Sequence, residues 1–445
     1  MGTTAVDVYK YRAAIAKSLI KRAGRVERVA GLTIESVGPD VPIGSRCLIR
    51  AGKRAQPVPA EVVGFGGSRI LLMPLGDISG IGPGSAVEAS DEPLSVTVSD
   101  ALLGRVLDGL GAPSDGKSAV AGVPVPIANT PPDPMERARI TDPLPLGVRA
   151  LDGLITVAKG QRIGIFAGSG VGKSTLMGMI ARNTRAGINV IALIGERGRE
   201  VKEFIEKDLG EEGLARSVLV VATSDKPALI RLKAAETATA IAEYFRAGGR
   251  DVLLMMDSLT RYAMAQREVG LATGEPPVSR GYTPSVYAAL PKLLERAGKG
   301  AKGSITGIYT VLVDGDDLTE PVTDTSRGIL DGHIVLSRKL ANRNHYPAID
   351  VLASVSRVMG DVASDGHKAA AREIKRLMAV YADAEDLINI GAYAKGASAE
   401  IDEAVAKNAG IKAFLTQRTD EKADFGETVE RMEQILKTNP ILKDG

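Results

Sequence analysis

One run constrains this chain more than any other: QRIGIFAGSGVGKSTLMGMI, residues 161–180. It reads as an apolar strand ending at Ala167, a turn of small residues, and a helix opening at Lys173. Gly168, Ser169, Gly170, Val171 and Gly172 make the turn. Glycines there let successive backbone N–H groups converge on phosphate oxygens. The following helix N-terminus adds unpaired donors and the positive end of its dipole. A lysine at the place of Lys173 reaches the β and γ phosphates, and a hydroxyl at the place of Ser174 holds Mg²⁺. The usual pattern begins with Gly; here Ala167 stands instead. The segment predicts a nucleoside triphosphate site over Ala167–Thr175, set in a sheet of the α/β kind.

The residues around it fit that sheet. NVIALIG, SVLVVAT and DVLLMMD are near-continuous apolar runs, with helical stretches such as KPALIRLKAAETATAIAEYFRAG between them. Buried strands alternating with helices indicate a largely parallel sheet. DVLLMMD ends in Asp257. A carboxylate at the C-terminal end of a strand beside a phosphate loop is placed to hold Mg²⁺; taken alone it also reads as a helix cap. Glu196 and Arg197 follow another apolar strand. Such a Glu can orient and activate a water facing the γ phosphate, or can be an acid stabilised at a helix start. Glu196 sits at the strand tip and has a better claim than Glu200 or Glu203.

Upstream, residues 8–22 suggest a short helix with Val8, Ala13, Ile15, Leu19 and Ile20 on one side and Lys10, Arg12, Lys17, Lys21 and Arg22 around it. It either packs on its own body or docks to a partner or an anionic membrane. From Gly24, short strands (GRVERVAGLTIESVG, GSRCLIR, PAEVVGF, RILLMPL, SAVEA) alternate with Gly, Pro and Asp turns, which predicts a small closed β-barrel. Residues 110–148, rich in Pro and Gly, read as an ordered connector. Beyond about residue 366 three helical segments predict an α-helical C-terminal domain. The expected organisation is a basic docking segment (1–23), a barrel (24–92), a phosphate-loop ATPase domain (93–365) and a helical domain (366–445).

Composition narrows the function. Lys and Arg total 56 against 54 Asp and Glu, a net charge of +2, so no large polybasic surface is expected. A single cysteine, Cys47, and three histidines, His333, His345 and His367, exclude an intrachain disulfide and cysteine-cluster metal sites. Cys47 reads as a small core hydrophobe. No apolar stretch reaches membrane-spanning length, and the N-terminus lacks a signal-peptide core. The expected setting is a reducing cytosol, with docking at a membrane surface left open.

Several blocks together resemble the ATPases of flagellar and virulence type III export systems, relatives of the catalytic subunit of rotary ATP synthases. They are AGSGVGKST, LIGERGREV, DSLTRYAMAQREVGLATGEPP, SRGYTPSV, VLVDGDDLTEPVTDTSRGILDGHIVLSRKLA and HYPAIDVLASVSRVM, and the likeness covers almost the whole chain. GLTIES, LLMPLGDISGIGPG and NTPPDPMERARI resemble the secretion branch. That family tolerates Ala167. The resemblance implies a RecA-like core that binds ATP and Mg²⁺ and hydrolyses ATP to energise protein export, with release or unfolding of chaperone-bound cargo. Lys173, Ser174 and Thr175 resemble the phosphate and Mg²⁺ contacts, Glu196 the catalytic Glu, Arg197 its neighbour at the γ phosphate, Asp257 the Mg²⁺-site aspartate and Arg261 the arginine of DSLTR. Tyr346 matches the aromatic that stacks on adenine. Arg357 matches the arginine donated by an adjacent subunit, whose alternative is an intrachain salt bridge. Arg418 and Thr419 stand where rotary subunits carry a second aromatic, which implies relaxed base selectivity, and Asn344 stands where glycine is common.

The implied partners are five other copies in a homohexamer, a stator-like regulator at the N-terminus, a coiled-coil stalk protein, export-gate membrane proteins and chaperone–cargo complexes. No nucleic acid is expected. The resemblance also implies a cytoplasmic setting, peripheral at the inner face of the cell membrane. Flagellar export is preferred to virulence secretion. A ring-shaped nucleic-acid translocase and a non-hydrolysing nucleotide-binding scaffold subunit remain as other classes. The near-neutral charge and the lack of clustered aromatics in the barrel argue against the first, and intact Lys173, Glu196 and Asp257 against the second.

Overall fold

The structure is a computed structural model. It describes residues 22–50, 56–90, 92–313, 317 and 319–437. Apart from Arg22, the basic helix expected over residues 8–22 lies outside the described residues.

Alternating short strands close into a barrel, as the turn spacing predicts. The strands are β1 (Ala23–Ala30), β2 (Thr33–Val37), β3 (Arg46–Arg50), β4 (Val58–Gly66), β5 (Arg69–Pro74) and β6 (Ala86–Ala89). Their order is β1-β2-β5-β4-β3-β6, and β6 pairs back onto β1. Closure leaves no unpaired edge to template aggregation. Val26, Ile34, Cys47, Ile49, Ala60, Val62, Leu72 and Val87 fill the interior. Cys47 is fully buried and its thiol is pushed up to about 11 by burial, so it behaves as the expected core hydrophobe. Residues Glu268–Pro276 group with the barrel in one compact unit.

The second unit holds the rest of the described chain from Ser95. Its strands are β7 (Ser95–Val98), β8 (Arg105–Asp108), β9 (Val123–Pro126), β10 (Arg162–Ala167), β11 (Ile188–Ile194), β12 (Ser217–Ala222), β13 (Asp251–Asp257), β14 (Gly298–Lys299), β15 (Ser304–Leu312), β16 (Gly332–Leu336) and β17 (Ile349–Ser356). The main sheet runs β17-β16-β10-β15-β13-β11-β12-β8, with β14 on the side of β15. It is parallel from β16 to β8; β17 and β14 pair antiparallel. Helices Lys173–Asn183 and Ala228–Ala247 fall between the strands as the periodicity predicts. The connector is ordered: it supplies β9, which pairs with β7, and Arg137 Nη1 donates to the Ala297 carbonyl at 2.8 Å.

The apolar-run reading finds β10, β11, β12 and β13 and misses β8, β15, β16 and β17. β15 matters most, because it lies between β10 and β13. Its sequence, SITGIYTVL, is broken by Ser, Thr and Gly, yet eight of its nine residues are buried. Its hydroxyls are spent inside the sheet: Thr306 Oγ1 accepts from Gly160 N at 2.9 Å, and Thr310 Oγ1 donates to Asp257. Satisfied hydroxyls can be buried where orphaned ones cannot.

Three helices, Asp365–Asn389, Ala399–Leu415 and Phe425–Lys437, form the C-terminal part. Ser364 and Ser398 cap the first two, each side chain accepting from the amide three residues on. Ile374, Leu377, Ile411, Phe414 and Met432 pack into the same apolar cluster as Leu151 and Leu154. Arg149, buried, donates Nε to the Phe414 carbonyl at 2.7 Å and pairs with Glu421. His367 is buried with Nε2 2.7 Å from the Gly153 carbonyl, a packing role.

Candidate active site

Strand β10 ends at Ala167 and delivers the chain to the turn Gly168–Gly172. Gly172 has φ 92°, a left-handed conformation that residues with a Cβ rarely adopt. A Cβ there would also meet the Tyr346 ring at 3.4 Å. The helix from Lys173 then starts at the sheet's C-terminal edge, where open α/β sheets bind ligands.

Two carboxylates converge on Lys173. Its Nζ lies 2.6 Å from Asp257 Oδ1 and 3.7 Å from Glu196 Oε1. Because β15 separates β10 from β13, the lysine spans a whole strand to reach Asp257. Burial pushes the ammonium down, but the charges of Asp257 and Glu196 outweigh that and leave it above its ordinary value. Glu196 is pushed up to about 7, first by burial and then by the Asp257 charge, against the pull of Lys173. Its Oε1 is buried without a hydrogen-bond partner, as is Arg261 Nε. Such orphans are costly unless a ligand or water completes them.

A cavity of about 450 Å³ opens onto Lys173 and Glu196, while Asp257 is buried behind the lysine and is not among its walls. Its walls include Ala167, Gly168, Ser169, Gly170 and Gly172 from the turn, and Lys173, Ser174 and Thr175 from the helix. Glu196, Arg197, Glu200, Arg261 and Leu312 close the other side. Val171 is buried in the apolar core and its side chain does not line the cavity. Arg197 is largely exposed, 3.5 Å from Glu200.

A second cavity, about 410 Å³, adjoins through the shared residues Gly172 and Thr175. Tyr346 and Pro347 line it, with Thr416, Gln417, Arg418 and Thr419 opposite. Arg418 is held by Asp420, Nε to Oδ1 at 3.0 Å and Nη2 to Oδ2 at 2.8 Å. The loop carrying these residues is fixed from beneath. Gln417 Oε1 accepts from Arg149 N, and Gln417 Nε2 donates to Gly147 O, both at 2.9 Å. Asn344 has φ 57°, left-handed backbone in which Asn is tolerated and glycine is favoured, which fits the expectation of a glycine there.

Arg357 lines neither cavity. It is exposed, its Nη2 donates to the Arg327 carbonyl at 3.3 Å, and it makes no ion pair among the described residues. Sequence reasoning missed Thr310, whose Oγ1 donates to Asp257 Oδ1 at 2.7 Å. No local signal marks it, since only the sheet order brings it to Asp257.

Residues 147–356 match the nucleotide-binding domain of the ATP synthase alpha/beta family, and residues 26–91 match its beta-barrel domain. Residues 363–434 match the T3SS EscN ATPase C-terminal domain. The "Flagellum-specific ATP synthase" of Bacillus subtilis (strain 168) is 59% identical over 411 residues, 92% of this chain and 94% of that protein. The chain belongs to the ATP synthase alpha/beta family, in its flagellar and type III secretion branch. The "Type 3 secretion system ATPase" of Xanthomonas euvesicatoria is 53% identical over 416 residues, covering 93% of this chain and 94% of that one. The solved structure of the assembled ATPase EscN with its central stalk EscO, from enteropathogenic E. coli, superposes with a TM-score of 0.86 at 48% identity. It covers 93% of this chain and 100% of that one. The site therefore belongs to an export ATPase that binds and hydrolyses ATP. The contiguous cavities have room for a triphosphate against Lys173 and a base against Tyr346.

Proposed function

We propose that this export ATPase serves a flagellum and works as a cytoplasmic homohexamer at the inner face of the cell membrane, hydrolysing MgATP between subunits. One observation carries the site assignment: Glu196 and Asp257, from two strand ends, both converge on the phosphate-loop lysine.

Mg²⁺ suits this donor set. Ser174 and Asp257 are hard oxygen donors. Among the described residues no group of three or more His, Cys, Asp or Glu could hold a metal by itself. The remaining ligands are then phosphate oxygens and water, the usual way Mg²⁺ sits with nucleotides. When bound, the ion neutralises charge on the β and γ phosphates. The turn amides of Gly168–Gly172 and the Lys173 ammonium bind the phosphates. That ammonium lies 2.6 Å from Asp257 Oδ1, so a bound phosphate competes with that carboxylate for it. Glu196 orients the attacking water and takes its proton, with its buried Oε1 as acceptor. Arg197 and Arg261 face the γ phosphate. Tyr346 stacks on the base, while the Arg418 guanidinium and Thr419 form the opposite wall in place of an aromatic, a contact that tolerates other bases.

Arg357 acts in trans. Its absence from both of its own chain's cavities, its exposure and its lack of an ion pair among the described residues leave it available to a neighbour. Assembly finds support in EscN, which is described as assembled and bound to its central stalk EscO. By that analogy a coiled-coil stalk occupies this ring, a stator-like regulator binds the N-terminal segment, and the ring serves export-gate proteins and chaperone–cargo complexes. No described helix is long and apolar enough to cross a membrane. The preference for flagellar export rests on the 59% identity to the Bacillus protein against 53% to the Xanthomonas one.

Turnover per subunit should rise steeply with protein concentration and follow hexamer mass read by mass photometry. A ring mixing Glu196→Gln with Arg357→Ala subunits should exceed both parent variants, because some interfaces then carry both native groups. A monomer with full turnover, or a mixed ring no better than its parents, refutes catalysis in trans.

A further inference from the structure

Asp257 sits between two donors. Lys173 Nζ lies 2.6 Å from Oδ1 and Thr310 Oγ1 lies 2.7 Å from the same oxygen. Oδ2 takes neither bond. Thr310 is fully buried on β15, the strand that separates the phosphate-loop strand from the strand of Asp257. Its hydroxyl has one proton and two acceptors within reach, Asp257 Oδ1 at 2.7 Å and the Met256 carbonyl at 3.3 Å. The shorter contact is to a charged acceptor, where a hydrogen bond is about twice as strong. The proton goes to Asp257.

The two donors have different fates in a turnover cycle. Lys173 is on a flexible stem, and a bound phosphate competes for it. Thr310 is on a central strand, paired in register with β10 at Ile165, and stays. From that contrast we infer that Thr310 is the positioning residue of the Mg²⁺ site. It holds Oδ1 of Asp257 throughout, which would keep the free Oδ2 in one orientation for Mg²⁺ whether or not Lys173 is bound. β-Branching helps, because Thr has few χ1 options on a buried strand. The inference rests on the reading that Asp257 serves Mg²⁺, and the experiment separates the two.

The measurement is ADP affinity by calorimetry, with and without Mg²⁺, on the full-length chain. The ratio of the two affinities is the metal–nucleotide coupling. Partners that orient metal ligands typically contribute about 10–100-fold. Thr310→Val keeps the shape and removes the hydroxyl. It should cut the coupling by about tenfold while changing metal-free ADP affinity by less than about twofold. Thr310→Ser should restore most of the coupling. A bare packing role predicts instead that Val, the closer shape match, behaves better than Ser. Thermal melting without ligand checks that each variant is folded; if Val fails to fold, Ser against Ala makes the same comparison. Asp257→Asn is the control for the underlying reading. Coupling lost in Asp257→Asn but intact in Thr310→Val overturns the role of Thr310 alone. Coupling intact in Asp257→Asn overturns the Mg²⁺ reading itself.

Discussion

Glu196 should destabilise the empty enzyme in a way that depends on pH. Its carboxyl is raised from the ordinary 4.5 to about 7, chiefly by burial and then by the Asp257 charge. At about 1.4 kcal/mol per pH unit, that rise corresponds to roughly 3 kcal/mol. The side chain opens onto a cavity and is 14% exposed, so about 2 kcal/mol is the working figure after solvent screening. Between pH 4.5 and 7 the folded protein binds this proton more tightly than the unfolded chain does. Stability from this group is therefore full at acid pH and falls as pH rises through the folded value.

Glu196→Gln abolishes that titration. The variant should be about 2 kcal/mol more stable than the parent at pH 8, or about 2–3 °C in melting temperature for a chain of this size, and the gap should close toward pH 5. The assay is thermal unfolding of nucleotide-free protein from pH 5 to 8.5. Turnover of the same variant should fall by about 10²–10⁴. A variant no more stable than the parent at pH 8, or a gap that widens toward acid, refutes the account of a carboxylate held uncomfortably charged for use as a base.

Two further substitutions probe the scaffold of the site. Gly172→Ala forces a Cβ into left-handed backbone and against the Tyr346 ring at 3.4 Å. It should cost about 1–2 kcal/mol of stability and raise KM for ATP, read by melting and steady-state kinetics. Arg149→Met leaves the Phe414 and Thr416 carbonyls without their donor and frees Glu421. Glu421 is more than a third exposed, so the cost is that of the unsatisfied carbonyls, about 1–3 kcal/mol; the loop Thr416–Thr419 should loosen, so that KM for ATP rises more than kcat falls.

What could be read from the chain follows the distance over which each feature is written. The phosphate turn is legible because its chemistry needs consecutive amides, and those come from consecutive residues. The barrel is legible because its turns recur every few residues, and Glu196 and Asp257 because each ends an apolar run. Thr310 is not legible, since its meaning depends on a strand order in which β15 enters between β10 and β13. The pocket over Tyr346 is legible only through the family resemblance, for the same reason. Its far wall, Thr416–Thr419, is fixed by a bond from Arg149 to Gln417, 268 positions along the chain.

Sequence resemblance flagged Asn344 and Arg418 as departures, and the structure gives them separate meanings. Asn344 adopts left-handed backbone, where Asn is tolerated and glycine is favoured, so the expected glycine and the observed Asn suit the same geometry. Arg418, a guanidinium clamped by Asp420, forms a wall of the second cavity, at a position where the family resemblance implies a ring. A planar cation can still stack on a base, but it carries no shape selection comparable to a fitted aromatic slot. On the proposed reading, triphosphate recognition is built into the sheet edge, whereas base recognition is shared between Tyr346 and a loop from the C-terminal helices. The two can vary independently, and the clamp at Arg418 is where a change of base preference should be sought.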